Sequence, residues 1–331
     1  MPDATVDAPS NIALIKYWGA SDLDRVVPCA PSLSMTLDTC RTRTTAHFCP
    51  GDSASDEVFL ANDDGTLQPA PGHFRTPVEA HLDRLRTWAD QNGSFRIATR
   101  NSFPDSVGLA SSASGFAALT LAALRAMDVR PTPMTCSDLA RQSGSGSAAR
   151  SLWGGFVQWP DADTLAATQI APASHWDLRD VIAVVATEPK NVPSRVGHER
   201  APSSPFFDAR LDHLEDRLDA VRSALGERDM ATLGPLVERE GIELHLIAMS
   251  SKPAIFYWKP ATLAVLEAVR ALRADGVAAY ATMDAGANVH VLCPPDDEPD
   301  VADRLQQLAA VNMVIRDGVG AGPTFDVPSL L

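Results

Sequence analysis

Residues Pro104 to Gly115 read Pro-Asp-Ser-Val-Gly-Leu-Ala-Ser-Ser-Ala-Ser-Gly, and an Ala- and Leu-rich run from Phe116 to Met127 follows directly. No other stretch narrows the choice of fold so far. Small residues let a backbone pass close to a ligand, and the run behind them predicts a helix. A loop feeding a helix N-terminus presents unpaired N–H groups and the positive end of the dipole, which together suit a phosphate. Ser111, Ser112 and Ser114 stand where that helix begins. A serine-capped helix after an ordinary turn explains the same letters, so the stretch alone leaves both readings open.

Around it the pattern alternates between strand and helix. Residues 8 to 18 and 33 to 49 read as strands, the second carrying the alternation Thr42, Thr44 and Thr45. Residues 50 to 76 are rich in Asp, Gly and Pro and read as loop. Val78, Leu82, Leu85 and Trp88 fall at helical spacing within 77 to 91. A short strand is expected from Phe95 to Ala98, a helix over 134 to 142, and strands over 154 to 159 and 181 to 185. Beyond the Pro- and Ser-rich stretch 193 to 205 the chain turns helical, over 207 to 225, 229 to 247 and 260 to 274. Two strands follow, Val277 to Thr282 and Val289 to Cys293. Strands first and helices later predict an α+β protein of two lobes. The division is expected near 185 to 195, giving domains of 1–188 and 189–331.

At 331 residues the chain can bury two cores. Its apolar runs are too short or too charged to span a bilayer, and Met-Pro-Asp-Ala-Thr lacks the basic and apolar regions of a leader. The expectation is a soluble cytoplasmic protein with no membrane partner. Five scattered cysteines and eight scattered histidines show neither a disulfide framework nor metal-ligand spacing. A net charge of −14 argues against nucleic acid. Only four of the 28 basic residues are lysines, namely Lys16, Lys190, Lys252 and Lys259. In such a chain a lysine inside a short ordered motif serves as a compact point charge.

Three further clusters join the serine-rich loop. Residues 8 to 19 form a strand ending in Lys16-Tyr17-Trp18-Gly19, from which a lysine can reach a cleft or snorkel at the surface. Gly144-Ser145-Gly146-Ser147 precedes Arg150, a bidentate clamp for a carboxylate or phosphate, or else an exposed arginine after a turn. Asp284 ends a strand and is followed by Ala-Gly-Ala, where it can orient a hydroxyl or merely make a turn. Ser194 and Arg195 offer a second anion contact, while His198 reads as a loop histidine.

In this order the clusters resemble the mevalonate diphosphate decarboxylases of the GHMP kinase superfamily. The resemblance rests on Asn-Ile-Ala-x-x-Lys-Tyr-Trp-Gly, Phe-Pro-x-x-x-Gly-Leu-Ala-Ser-Ser-Ala-Ser-Gly, Gly-Ser-Gly-Ser-x-x-Arg-Ser and Asp-Ala-Gly-x-Asn, and runs from residue 8 to about 293. It implies a two-lobed GHMP kinase fold, with the phosphate loop in the N-terminal lobe and a small antiparallel sheet in a helix-rich C-terminal lobe. It also implies ATP-dependent phosphorylation of the 3-hydroxyl of mevalonate 5-diphosphate, loss of that phosphate and release of carbon dioxide, giving isopentenyl diphosphate. On this likeness Asp284, Lys16 and Arg150 are the catalytic residues. Gly108, Leu109, Ala110, Ser111, Ser112 and Ser114 would hold ATP, and Ser111 and Ser112 would also meet Mg²⁺. Tyr17, Ser145, Gly146, Ser147, Arg150, Ser194 and Arg195 would hold the phosphorylated mevalonate, and a homodimer is implied.

One position departs from the family pattern. A second lysine usually follows Lys-Tyr-Trp-Gly, and here that place is Ala20. Either Arg25 compensates or the substrate carries less charge. The second possibility makes a mevalonate 5-phosphate decarboxylase giving isopentenyl phosphate one alternative; a small-molecule kinase that does not decarboxylate and an inactive metabolite-binding homologue are two others.

Overall fold

Two long neighbouring strands, Ala4–Ile15 and Ser32–Pro50, form the spine of the fold. The first carries Thr5, Val6, Ile12 and Ile15 and the second Thr36, Thr39, Thr42, Thr44 and Thr45, β-branched residues that suit a pleated, half-buried surface. They pair antiparallel, with Val6 opposite Thr44 and Ile12 opposite Met35, and the register shifts between Pro9 and Asn11 and again between Ala13 and Ile15. Such bulges bend a strand and re-aim its side chains. The second strand is shared along its length: residues 42–50 pair with Gly93–Asn101, and residues 32–35 pair with Phe156–Trp159. In the computed structural model, which describes residues 3–52, 54–104, 111–161, 164–188 and 190–331, these strands belong to one eight-stranded sheet.

The helices Gly72–Ala89, Ser111–Ala126 and Pro133–Arg141 belong to this N-terminal lobe. Val78, Leu82 and Leu85 of the first pack with Ala118, Ala122 and Leu119 of the second, above Phe48, Phe95 and Ile97 of the sheet. Alanine dominates the second helix on nearly every side, which lets it lie deep against the strands.

A second, four-stranded antiparallel sheet runs in the order Tyr280–Thr282, Val289–Cys293, Arg179–Val184, Met313–Gly318. The period of two along Arg179–Val184 divides its side chains between two cores. Val181 and Ala183 face the C-terminal core with Val265, Val269 and Leu305. Ile182 and Val184 face Ile12, Leu14, Leu33 and Met35 of the other lobe, beside Leu218, Val221 and Val237 of the long helices. The two lobes thus share a continuous apolar joint. A polar tie reinforces it, because the Asp317 carboxylate accepts from the backbone N–H groups of Asp38, Thr39 and Cys40.

The α+β class, the two lobes and the small antiparallel sheet are as the sequence predicts. Three details differ. Residues 50 to 76 contain the strands Glu57–Ala61 and Leu67–Pro69, and the helix begins at Gly72. These strands are too short for their alternation to stand out among turn residues. The second sheet already begins at Arg179, ahead of residue 189. The helix Glu298–Gln306 and the strand Met313–Gly318 lie beyond the last element read from the sequence.

Candidate active site

The ends of these elements meet around a cleft of about 470 Å³ between the lobes. Its walls include Lys16, Tyr17, Ser111, Ser112, Arg150 and Asp284, so residues from all four sequence clusters converge there. Ser145, Gly146, Ser147, Ser194 and Arg195 line it as well. Gly108, Leu109 and Ala110, expected to contact ATP, lie outside the described residues.

At the floor, Lys16 Nζ donates to Asp284 Oδ1 at 2.8 Å and to the Ala13 carbonyl at 2.6 Å. The lysine is buried, whereas Asp284 keeps 28% of its side chain open. Burial pushes the Asp284 carboxyl up, but the Lys16 ammonium beside it more than offsets this and holds it below the ordinary carboxylate range. Burial pulls the Lys16 ammonium down, with Asp284 opposing. The pair therefore presents an ionised oxygen acceptor to the cleft and a cation directly behind it.

Arg150 follows the small-residue run through the 3₁₀ turn Gly146–Leu152. Its Nε and Nη2 donate to Asn11 Oδ1, each at 3.2 Å, and Nη1 donates to Ser32 Oγ at 2.6 Å. Asn11 is itself held by its Nδ2 donating to Ser151 Oγ at 2.8 Å. Among the described residues no carboxylate ion-pairs with this buried guanidinium. Burial pulls it down to about 10, so it stays charged near neutrality. A buried cation with only neutral acceptors is an incomplete arrangement until an anion arrives.

Serine hydroxyls also line the cleft. Ser112 Oγ lies 3.4 Å from Ser145 Oγ, and Ser145 Oγ lies 3.1 Å from Ser147 Oγ. Gly146 is required here, since a Cβ would meet the rings of Trp159 at 2.6 Å and Tyr17 at 2.9 Å. Ser114 departs from expectation. It is fully buried and its hydroxyl lies 2.6 Å from Thr42 Oγ1, so it fastens the helix to the sheet and does not face the cleft. Three residues on from Ser111 and about 60° round the helix axis, Ser114 falls on the sheet side, while Ser111 lines the cleft.

Sequence reasoning passed over two cleft residues. Lys190 Nζ donates to Ser194 Oγ at 2.7 Å and to the Ala285 carbonyl at 3.1 Å, at the mouth beside Asp284. Its rarity as one of four lysines was the available signal. His198 stacks on Tyr17 with ring centroids 4.0 Å apart, and its Nδ1 accepts from the Gly19 N–H at 3.1 Å. Burial, helped by Lys190, Arg150 and Arg195, pushes it down to about 3, so it is neutral. Arg195 is half tied already, with Nη2 2.8 Å from Asp24 Oδ1. Neither Ala20 nor Arg25 lines the cleft.

Two lobes around a serine-walled cleft, with the long helix Ser111–Ala126 opening onto it, define the architecture of the GHMP superfamily. The chain matches the diphosphomevalonate decarboxylase-like N-terminal domain over residues 8–171 and the mevalonate 5-diphosphate decarboxylase C-terminal domain over residues 180–323. It belongs to the diphosphomevalonate decarboxylase family. It is 37% identical to diphosphomevalonate decarboxylase mvd1 of Aspergillus fumigatus, covering 98% of this chain and 84% of the relative. It is 31% identical to the phosphomevalonate decarboxylase of Haloferax volcanii, covering 98% and 97%. A solved structure described as MDDEF in complex with MVAPP, AMPPCP and magnesium superposes with a TM-score of 0.88 at 34% identity, covering 98% of both chains.

Proposed function

We propose that this protein catalyses the ATP-dependent decarboxylation of mevalonate 5-diphosphate, yielding isopentenyl diphosphate, ADP, phosphate and carbon dioxide. The observation that carries the reading is the joint placement, in one cleft, of the Lys16–Asp284 pair and the buried Arg150, which has no carboxylate partner among the described residues. Asp284 orients the tertiary 3-hydroxyl and accepts its proton as the oxygen bonds to the γ-phosphorus of ATP. Lys16 keeps that carboxylate ionised and offsets charge on the transferring group. Arg150 grips the substrate carboxylate. When the 3-phosphate leaves with its bonding pair, the carbon–carbon bond to that carboxylate breaks and its electrons form the alkene.

Tyr17, Ser145, Gly146, Ser147, Ser194 and Arg195 form the wall for the distal phosphates. Ser111 and Ser112 contact the phosphates of ATP. Among the described residues there is no cluster of His, Cys, Asp and Glu that could hold a metal alone. This suits Mg²⁺, which is usually bound largely through substrate phosphates and water, with Ser111 and Ser112 as the hydroxyl donors available here. When bound, the ion supplies neutralisation of phosphate charge. We further propose a cytoplasmic homodimer; no helix among the described residues is long and apolar enough to cross a membrane.

The Haloferax relative favours a second reading, in which the substrate is mevalonate 5-phosphate. One assay separates the possibilities. The purified protein is given ATP with mevalonate, its 5-phosphate or its 5-diphosphate, and ADP and carbon dioxide are followed together. Equal release of both from the 5-diphosphate supports the main reading, and release from the 5-phosphate alone supports the second. ADP without carbon dioxide would mark a kinase and overturn both.

A further inference from the structure

The helix Met230–Ser250 packs between the two chain segments that carry Lys16 and Asp284 and touches the backbone of each. Glu240, fully buried, accepts the Lys16 N–H at its Oε2 at 3.0 Å. Arg210 completes the grip, its Nη2 donating to the Lys16 carbonyl at 2.9 Å and to Glu240 Oε2 at 2.8 Å. Arg217 pairs with the other Glu240 oxygen. Five residues along the helix, a rise of about 7.5 Å, His245 Nε2 lies 3.1 Å from the Asp284 carbonyl. A carbonyl can only accept, so the imidazole donates there; burial, helped by Lys16, pushes it down to about 3, and it is therefore neutral near pH 7. Gly241 lets the helix come this close, because a Cβ would sit 3.0 Å from Thr282 Oγ1 and 3.1 Å from the Met283 nitrogen.

We infer that this helix is the template for the reacting pair: Glu240 fixes the lysine's backbone, His245 fixes the aspartate's, and together they set the 2.8 Å contact between the two side chains. The inference rests on the reading of Lys16 and Asp284 as catalytic. Neither segment is stiff by itself. Lys16 follows the end of a strand, and Asp284 sits in a turn where, among the described residues, the other donor to that carbonyl is the Gly286 N–H at 2.6 Å. A buried ion cluster is weak evidence for stability, since apolar residues of similar volume often serve as well or better. Its contacts with a catalytic backbone on both sides of one residue point to positioning.

The test compares Glu240→Gln, which retains shape and an acceptor while removing the charge that holds Arg210, with His245→Phe, which removes the donor without changing charge. Each variant should lower kcat about 10- to 100-fold, the scale of an ångström-sized misplacement, while Kd for ATP and for the phosphorylated mevalonate stays near the wild-type value. With Lys16 displaced, the acid limb of the kcat profile should also move to higher pH, Arg150, Lys190 and His290 being the other groups whose charge bears on the site. His245→Gln, whose amide can donate to the same carbonyl, should recover part of the loss. Folded variants with wild-type kcat and pH profile, whatever their melting temperature, would overturn the inference. If Glu240→Gln does not fold, the two His245 variants decide alone. Asp284→Asn is run alongside. Retained turnover in that variant would sink the catalytic reading itself, whereas its loss combined with normal helix variants would sink only the template.

Discussion

Lys16 and Asp284 stand 268 positions apart in the chain and on segments that extend different sheets, yet their side chains meet at 2.8 Å. The contact exists only when the two lobes are packed, so the apolar joint between Leu14, Met35, Ile182 and Leu292 is also what assembles the reacting pair. Stability of the joint and competence of the site are thereby linked.

Asp284→Asn should abolish turnover while leaving ATP binding nearly intact. The amide keeps the size of the carboxylate but cannot accept the hydroxyl proton, and loss of a general base costs about 10²- to 10⁴-fold. Steady-state kinetics with each phosphorylated mevalonate, beside calorimetric titration with ATP, checks this. Near wild-type turnover would remove Asp284 from the chemistry.

Arg150→Lys should be severely impaired despite conserving charge. Lysine provides one compact ammonium where the guanidinium uses Nε, Nη1 and Nη2 at once to hold its orientation against Asn11 and Ser32. Carbon dioxide release should fall at least as much as substrate affinity, since a misoriented carboxylate cannot break down as phosphate leaves. Unchanged kinetics would show that the guanidinium does not hold the carboxylate.

Lys190→Ala should weaken the reaction more than any change at Ala20 strengthens it. Among the described residues Lys190 bonds to a hydroxyl and a carbonyl at the cleft mouth, leaving its charge available to a phosphate. A charge-assisted contact contributes about 1.5–3 kcal/mol, or roughly ten- to a hundredfold in affinity. Ala20 lies off the cleft wall in the short strand Ala20–Asp22, so Ala20→Lys should help the 5-diphosphate over the 5-phosphate only modestly. Comparing KM for the two substrates in both variants decides it, and a larger gain at Ala20 than loss at Lys190 would reverse the assignment.

Acid stability should be limited by buried neutral histidines. His81 is fully buried far from the cleft, its Nε2 donating to Thr120 Oγ1 at 2.8 Å, and burial followed by Arg84 pushes it down to about 3. In the unfolded chain an imidazole takes its proton near about pH 6.5. The unfolded state therefore binds more protons between about 6.5 and 3, and the contribution of neutral His81 to stability is complete above that window and lost as pH falls through it. His245 adds in the same direction. His81→Leu leaves Thr120 bonded to the Phe116 carbonyl and should flatten the decline of Tm between about pH 6.5 and 4. An unchanged slope in thermal melts would exclude His81 as a cause.

Much of the architecture was legible along the chain because burial on one face leaves a period. Val78, Leu82 and Leu85 reveal their helix, the Thr alternation reveals the strand Ser32–Pro50, and the four motif clusters mark the segments that meet in the cleft. Periodicity carries no record of which element lies opposite which. That Ser114 turns inward to Thr42 while Ser111 faces the cleft depends on how the helix Ser111–Ala126 is rotated against the sheet. That Arg150 has neutral partners, that Lys190 sits at the cleft mouth near Asp284 and that Glu240 and His245 reach both halves of the site depend on packing across the lobes. Local spacing determines the elements and the ligand-facing loops; the charge balance of the site arises only from contacts between residues distant in sequence, and tertiary packing alone brings those together.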